Sequence, residues 1–220
     1  MNSVTRLIRR NFTFFISCLF FILTLSVFCI IFSKPDGFLL INRFHSRLLD
    51  NFFILFTNLG NGLFVIGLMV FLLIWKKIGW TLQIGFSFLV SGLVVQVIKH
   101  LMPSPRPKLF FGSSPIHFIY GITGTGHGSF PSGHTATIFA VTTLLCLYFP
   151  GRKPAIFLFL IAALTGFSRI YLSQHFPIDV LAGSLIGILI SMFTYTLIPL
   201  RIFKKKFSEN EYESQSIKLQ

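Results

Sequence analysis

Residues 78–98 read IGWTLQIGFSFLVSGLVVQVI, a stretch in which every side chain is uncharged. About 20 consecutive, mostly apolar helical residues are enough to cross the hydrocarbon core of a bilayer. Helices buried inside soluble proteins rarely need so long an apolar run. Lys76 and Lys77 precede the stretch, and Lys99 follows it. The pattern therefore predicts a transmembrane helix bounded by basic residues.

Further stretches of the same kind predict an all-α, polytopic membrane bundle with six transmembrane helices. The other five run over residues 11–33, 51–75, 131–150, 154–172 and 177–200. The first of them is longer than the apolar part of a signal peptide and lacks a small-residue cleavage site, so we expect it to remain as a helix. Six spans place both termini on the same side of the membrane.

The composition supports this class and limits the partners. Hydrophobic residues make up 53% of the chain and charged residues 11%, against about 25% charged residues in soluble domains. The formal net charge is +13, but the basic residues form small groups between apolar stretches. That arrangement is typical of span flanks and of attraction to anionic lipid headgroups, and it argues against a nucleic-acid partner. The three cysteines lie in apolar runs and are expected to be packing residues.

The basic residues also orient the chain. Twelve fall on the side that holds the termini and seven on the other side. The positive-inside rule therefore predicts cytoplasmic termini. We expect one membrane domain over residues 1–207, followed by a polar, disordered cytoplasmic tail over residues 208–220. The oligomeric state is left open by the sequence.

The first of three polar segments follows the third span, on the external side. A lone Lys99 is compatible with a snorkelling anchor, but charges at this depth often mark function. The prolines at positions 103, 105 and 107 end the helix and favour an extended strap that carries Arg106. A fixed guanidinium beside an ammonium group suits a tetrahedral anion.

The second segment, Pro131-Ser132-Gly133-His134, opens the fourth span. Proline is favoured at the first helical position, which would leave the N–H groups of Ser132, Gly133 and His134 as free donors. Such donors and the helix dipole bind anions, and a glycine lets the ligand approach the backbone. The alternative is an ordinary helix start with an incidental histidine.

The third segment runs from Ser168 to Asp179 and joins the fifth and sixth spans. His175 lies four residues before Asp179, within reach of its carboxylate. A carboxylate bound to one imidazole nitrogen fixes the tautomer and leaves the other nitrogen free to react. Arg169 is either a third cation for the same anion or an anchor for the fifth helix.

Together the three segments resemble the signature of the type 2 phosphatidic acid phosphatase family, which also contains vanadium-dependent haloperoxidases. Residues 99–107 have the pattern K-x6-R-P, residues 131–134 are P-S-G-H, and residues 168–179 have the pattern S-R-x5-H-x3-D. The order and spacing are highly specific, and the match covers over a third of the chain.

The resemblance implies a two-step phosphoryl transfer through a phosphohistidine. His175 would be the nucleophile, Asp179 its orienting partner and His134 the general acid. The phosphate-binding residues would be Lys99, Arg106, Ser132, Gly133 and Arg169. We expect no cofactor and no metal, because the external side offers few carboxylates.

The function expected is removal of phosphate from a membrane lipid at the external face. Phosphatidic acid, phosphatidylglycerophosphate, undecaprenyl pyrophosphate, sphingoid phosphates and a lipid A phosphate all remain open as substrates. One alternative is a lipid phosphotransferase, and another is a transporter or receptor that binds phospholipids without turnover. The expected location is a bacterial inner membrane, with the site facing the periplasm.

The external loop, residues 108–130, carries a cluster of glycines and is predicted to be a flexible loop over the site. His117, Tyr120 and His127 lie in it. They either select the headgroup or simply keep the loop polar.

Overall fold

The computed structural model describes residues 8–198 of the chain. Within this range the regular secondary structure is helical, which confirms the all-α prediction. The helices are α1 (Phe12–Ile31), α2 (Lys34–Asn42), α3 (Arg47–Phe56), a 3-10 turn (Thr57–Gly60), α4 (Gly62–Ile74), α5 (Ile78–Leu101), α6 (Pro107–Phe111), α7 (Gly133–Tyr148), α8 (Arg152–Tyr171) and α9 (Pro177–Leu197). The predicted tail at 208–220 lies outside the described residues.

Four helices, α1, α5, α8 and α9, are long and apolar enough to cross a membrane. A fifth span results if α3 with its 3-10 turn and α4 count as one, although they are bent by 56°. Large apolar side chains such as Phe20 and Ile30 of α1 are exposed, as expected where lipid covers the surface. The chain is therefore an integral membrane protein, whereas six spans and the location of the termini remain predictions.

The second predicted span, residues 51–75, is broken in the structure. Asn61 has an extended backbone, and its side chain accepts a hydrogen bond from the N–H of Leu63, so α4 starts afresh there. Gly60 packs directly against the first turn of α7: a Cβ atom at this position would lie 2.8 Å from the carbonyl oxygen of His134. The break thus brings the 3-10 turn against the site.

Helix α7 is the central element of the bundle. Its 16 residues make it shorter than the four candidate spans, and twelve of them are buried. It packs against α9, α8 and α5. Two glycines of α9 allow the closest approach, because a Cβ on Gly183 or Gly187 would lie 2.6 Å or 2.4 Å from a carbonyl oxygen of the α7 segment. Small residues at such contacts let helix backbones meet.

Helix α2 was not predicted from the sequence. Ser33 caps it by accepting a hydrogen bond from the N–H of Asp36, and Pro35 stands in its first turn. Phe38 is fully buried against Phe176, next to the third polar segment. The helix therefore covers the end of the bundle that holds the third polar segment.

Candidate active site

The three polar segments meet at one end of α7. The backbone N–H of Ser132 donates to the carbonyl oxygen of Asp179 at 2.9 Å, which joins the start of α7 to the start of α9. The N–H of Ser129 donates to the carbonyl oxygen of Ser104 at 3.0 Å, which joins the same region to the strap (residues 102–106). Backbone hydrogen bonds therefore fix the relative positions of all three segments.

His175 lies in the α8–α9 turn (residues 172–176) and is only 2% exposed. The turn is closed by two N–H groups, of Gln174 and His175, which both donate to the carbonyl oxygen of Arg169. Ser173 takes the left-handed conformation, with φ of 55°, so that the chain can reverse between the two helices. The nucleophile predicted from the sequence is thus held on rigid, buried backbone.

Asp179 approaches the His175 ring as predicted. Its Oδ2 lies 3.5 Å from Nδ1 of His175, which is longer than an ordinary hydrogen bond. The same oxygen accepts hydrogen bonds from the Ser129 hydroxyl at 2.5 Å and from the N–H of Phe176 at 2.9 Å. The carboxylate is therefore fixed in place and faces Nδ1. Nε2 is the ring nitrogen that remains available to react.

The surroundings of the His175 ring favour its neutral form. Burial lowers its pKa to about 4, although the interaction with Asp179 acts in the opposite direction. The positive charges of Arg169 and Arg106 add to the lowering. A neutral imidazole is the form that can attack an electrophile.

Arg169 is a buried cation that lacks a carboxylate partner among residues 8–198. It is 6% exposed, and its Nη1 donates to the hydroxyl of Thr57 at 2.6 Å. Its Nε has no hydrogen-bond partner in the described part of the chain. A buried charge with unsatisfied donors is costly, so the position suits an anionic ligand.

Arg106 is held between two other parts of the site. Its Nη1 donates to Oε1 of Gln174 at 2.6 Å, and its backbone N–H donates to the carbonyl oxygen of Gly126. A Cβ on Gly124 would lie 2.8 Å from Nη1, so an alanine there would push the guanidinium out of its present position. Burial lowers the pKa of Arg106, with Asp179 opposing, but a guanidinium is still protonated at neutral pH.

Lys99 stands at the end of α5 beside Arg106. A Cβ on Gly128 would lie 3.7 Å from the Lys99 side chain, in ordinary van der Waals contact. The two cations border a groove at the edge of the bundle, and Val97 and Leu101 of the same groove are exposed apolar residues of α5. The remaining residues that line the groove are Gln96, His100, His127 and Gly128.

The start of α7 differs from the prediction in one respect. Helix α7 begins at Gly133, so Ser132 is its N-cap and Pro131 lies before the cap. The N–H of Ser132 is bonded to Asp179, and its hydroxyl accepts from Thr135, so the prediction of a free Ser132 N–H is wrong. The N–H groups of Gly133 and His134 lie at the open end of the helix, where an anion is favoured.

His134 is half-buried at this helix start, with Gly60 packed against it. Four groups of the site act electrostatically on its ring, namely Arg169, His175, Arg106 and Lys99. The structure thus brings His134 and His175 together with the three cations that the sequence singled out.

The three candidate residues of the external loop have different surroundings. His127 lines the groove beside Lys99 and Arg106. The His117 ring instead contacts Asp50, with its Nε2 at 2.9 Å from Oδ1 of that residue. Tyr120 is 88% exposed. Of the three, only His127 is placed where it can meet a headgroup that enters along the groove.

Three functional contacts were missed by sequence reasoning: Gln174 on Arg106, Thr57 on Arg169 and Ser129 on Asp179. In the sequence, Gln174 is one of the unspecified positions of the S-R-x5-H-x3-D pattern. Ser129 lies two residues before the P-S-G-H pattern. Thr57 begins the polar interruption TNLGNG at residues 57–62, inside the second apolar stretch. That interruption was the one available signal.

Comparisons with known proteins identify the family. Residues 80–203 match the PAP2 superfamily. A probable lipid phosphate phosphatase 4 of Arabidopsis thaliana is 34% identical over 59% of this chain and 49% of its own length. An undecaprenyl-diphosphatase of Sulfolobus acidocaldarius is 31% identical over 71% of this chain and 74% of its own. The chain spans about half the length of the plant relatives that it matches.

A solved structure is also similar. The crystal structure of Aquifex aeolicus LpxE superposes with a TM-score of 0.67 at 32% sequence identity, covering 74% of this chain and 94% of that one. The family match confirms the resemblance that was drawn from the three polar segments.

Proposed function

Because the chain belongs to the PAP2 superfamily, we propose that it is a membrane phosphatase that removes phosphate from a lipid phosphate or a lipid pyrophosphate. One observation carries the proposal: a buried Arg169, without a carboxylate partner in residues 8–198, lies next to the buried pair His175–Asp179. The unsatisfied guanidinium needs an anion, and the neutral imidazole beside it can attack that anion.

In the first step the cations Lys99, Arg106 and Arg169 hold the phosphoryl oxygens. Nε2 of His175 attacks phosphorus, so that a P–N bond forms while the P–O bond to the lipid breaks. His134 gives its proton to the departing oxygen. Hydrolysis of phosphate esters is so slow in water that positioning and charge stabilisation must supply most of the acceleration.

In the second step water replaces the lipid. His134, now neutral, takes a proton from the water, whose oxygen attacks phosphorus as the P–N bond breaks. Inorganic phosphate is released and His175 returns to its neutral form. Covalent catalysis of this kind divides one difficult transfer into two easier ones.

The proposed reaction needs no metal. Of the three acids in residues 8–198, Asp36 accepts a hydrogen bond from Ser33, and Asp50 contacts Tyr171 and His117. Among these three acids, Asp179 is the one that acts on the cations Lys99 and Arg106. Three fixed cations supply the positive charge that metal ions provide in two-metal phosphatases.

The substrate in this proposal is amphiphilic and reaches the site from the bilayer. The groove at Lys99 and Arg106 is bordered by exposed apolar residues of α5, so a lipid can present its phosphate without leaving the membrane. The named relatives support both a lipid phosphate and an isoprenoid pyrophosphate as substrates. The six spans, cytoplasmic termini and external, periplasmic site of the sequence analysis belong to the same proposal.

The test is release of inorganic phosphate by the purified protein in neutral detergent. The substrates would be phosphatidic acid, phosphatidylglycerophosphate, undecaprenyl pyrophosphate and a lipid A phosphate. We expect turnover of at least one lipid, and a loss of at least about 10³-fold in the His175→Ala variant. His45→Ala, which removes an exposed histidine away from the cluster, is the matched control.

Two outcomes would contradict the proposal. A His175→Ala variant that keeps its turnover would remove the nucleophile from the mechanism. The second outcome is transfer of phosphate to an added acceptor lipid without release of free phosphate. Chromatography of the lipid products would detect this transfer, which would indicate a phosphotransferase instead.

A further inference from the structure

The α8–α9 turn that carries His175 is bound residue by residue to the external loop. Each of the three residues before the nucleophile makes one such hydrogen bond. The Thr123 hydroxyl donates to the carbonyl oxygen of Leu172 at 3.0 Å, the Ser173 hydroxyl donates to the carbonyl oxygen of His117 at 2.5 Å, and Nε2 of Gln174 donates to the carbonyl oxygen of Ile122. The external loop therefore supports the turn rather than only covering it.

Gln174 differs from its neighbours because it also touches a cation of the site. Its Oε1 accepts the hydrogen bond from Nη1 of Arg106 at 2.6 Å, while its Nε2 donates to Ile122. The side chain is only 4% exposed. With the oxygen committed to a donor and the nitrogen to an acceptor, the amide has one orientation in which both contacts are made.

The chemistry of the amide suits this position. A carboxylate would also hold the guanidinium, but it would neutralise the charge that the phosphoryl oxygens need. A neutral oxygen restrains Arg106 and leaves its full positive charge available. The Gly124 backbone lies against the same guanidinium, so Arg106 is held between two groups that carry no charge.

We propose that Gln174 is a positioning residue that fixes the Arg106 guanidinium against the phosphoryl group and couples it to the external loop. This inference rests on the proposed phosphatase function. It assigns a role in the reaction to a residue outside the recognised motif positions.

The first experiment compares two matched substitutions. Gln174→Met has nearly the same volume and removes both hydrogen bonds of the amide. Thr123→Val also removes two, the loop–turn bond to Leu172 and the bond that the hydroxyl accepts from the N–H of Ile119, without touching Arg106. We expect Gln174→Met to lower kcat/KM by about 10- to 100-fold, as for loss of a hydrogen bond to a charged group. Gln174→Glu should lower it further, because its charge competes with the phosphate for Arg106.

Thr123→Val should lower the melting temperature about as much as Gln174→Met does, with kcat/KM nearly unchanged. A merely structural role for Gln174 predicts instead that the two variants lose turnover equally. That result would overturn the inference.

The second experiment measures anion binding, so that it also works on inactive variants. Orthovanadate, a tetrahedral oxyanion shaped like phosphate, raises the melting temperature of a protein that binds it. We expect Gln174→Met to weaken orthovanadate binding in the wild-type background but to have no further effect once Arg106→Lys is present, because residues that act through one contact are not additive. An undiminished effect of Gln174→Met on top of Arg106→Lys would contradict the inference.

The experiments distinguish failure of the phosphatase proposal from failure of the positioning role. If the wild type releases no phosphate from any lipid but its orthovanadate affinity depends on Gln174 through Arg106, the phosphatase proposal fails and the positioning role stands. If the wild type is active and Gln174→Met behaves like Thr123→Val, only the positioning role fails.

Discussion

His175 and His134 have opposite duties in the proposed cycle and different surroundings in the fold. His175 is enclosed in the α8–α9 turn, whereas His134 is half-buried at the open end of α7. The attacking imidazole has to be neutral and the donating one has to be protonated. Burial already keeps His175 in the neutral form above a pKa of about 4.

The pH profile of kcat/KM is expected to be bell-shaped. As the pH falls through about 4, His175 becomes protonated and loses its ability to attack, so the acid limb should lie near that pH. The alkaline limb should come from loss of the His134 proton, which depends on the bound phosphate because burial and the neighbouring cations disfavour a protonated His134 ring when no anion is bound. A profile that is flat from pH 4 to 9, with chemistry rate-limiting, would contradict these roles.

Asp179→Asn should move the acid limb to lower pH and reduce turnover. The carboxylate raises the pKa of His175, so its removal lets burial and the two arginines lower that pKa further. Turnover should fall by roughly 10²- to 10⁴-fold, because the ring loses the partner that orients it. An acid limb that stays in place would mean that Asp179 does not act on His175.

Arg169→Met should lower turnover without lowering the melting temperature. The wild-type guanidinium is buried with one hydrogen bond, to Thr57, and without a carboxylate partner in residues 8–198. Removing such a charge should leave the melting temperature unchanged or raise it, while turnover falls by at least about 10²-fold. A strongly destabilised Arg169→Met protein would instead show that Arg169 is structural.

The sequence predicted the candidate reacting residues, which the structure brings together, but not the residues that hold them. His175, Asp179 and Arg169 belong to one short segment, so their spacing alone indicates proximity. Gln174 and Thr57 have partners 68 and 112 positions away along the chain, at Arg106 and Arg169. Neither contact leaves a local pattern, because both depend on how separate helices pack.

At the scale of elements, the contact between α7 and α9 decides the geometry of the site. The start of α7 is bonded through Ser132 to Asp179 at the start of α9. Further along, Gly183 and Gly187 allow the two helix backbones to touch. A change in their separation would move the open helix end and the His175–Asp179 pair relative to each other.

Gly187→Ala should therefore damage both stability and activity. The added Cβ would lie 2.4 Å from the carbonyl oxygen of Ala136, which forces the helices apart at a cost of about 1–3 kcal/mol. Thermal unfolding and phosphate release would both report the change. The matched control is Gly92→Ala in α5, where no atom lies within 4 Å of the new Cβ. Better helix propensity there should raise stability by about 0.5–1 kcal/mol.

The element-level predictions succeeded where apolar length was the signal. Helices α1, α5, α8 and α9 match predicted spans closely. The broken second span was missed because residues 51–75 are apolar overall and the Asn–Gly interruption is short. The small size of α7 was missed because the sequence does not show that other helices, rather than lipid, surround it.

At the scale of the molecule, the charge balance is the reason that the proposed mechanism needs no metal. In the described part of the chain, the candidate site contains the cations Lys99, Arg106 and Arg169, and carboxylates are scarce. In the proposal these fixed cations stabilise the phosphoryl group. Soluble two-metal phosphatases achieve the same stabilisation with bound ions.

Turnover should accordingly be unchanged after dialysis against EDTA. The measurement is the initial rate of phosphate release before and after chelation, in detergent free of divalent ions. Loss of the rate on chelation, with recovery on adding magnesium, would sink the metal-free proposal.

The uncompensated Arg169 has a consequence beyond substrate capture. A vacant pocket leaves the guanidinium without a counterion, and any small oxyanion that enters relieves that penalty. Orthophosphate, the compound that each cycle leaves behind, is such an oxyanion. The same buried positive charge that binds the substrate therefore also slows release of the product. Accumulated orthophosphate should inhibit the enzyme.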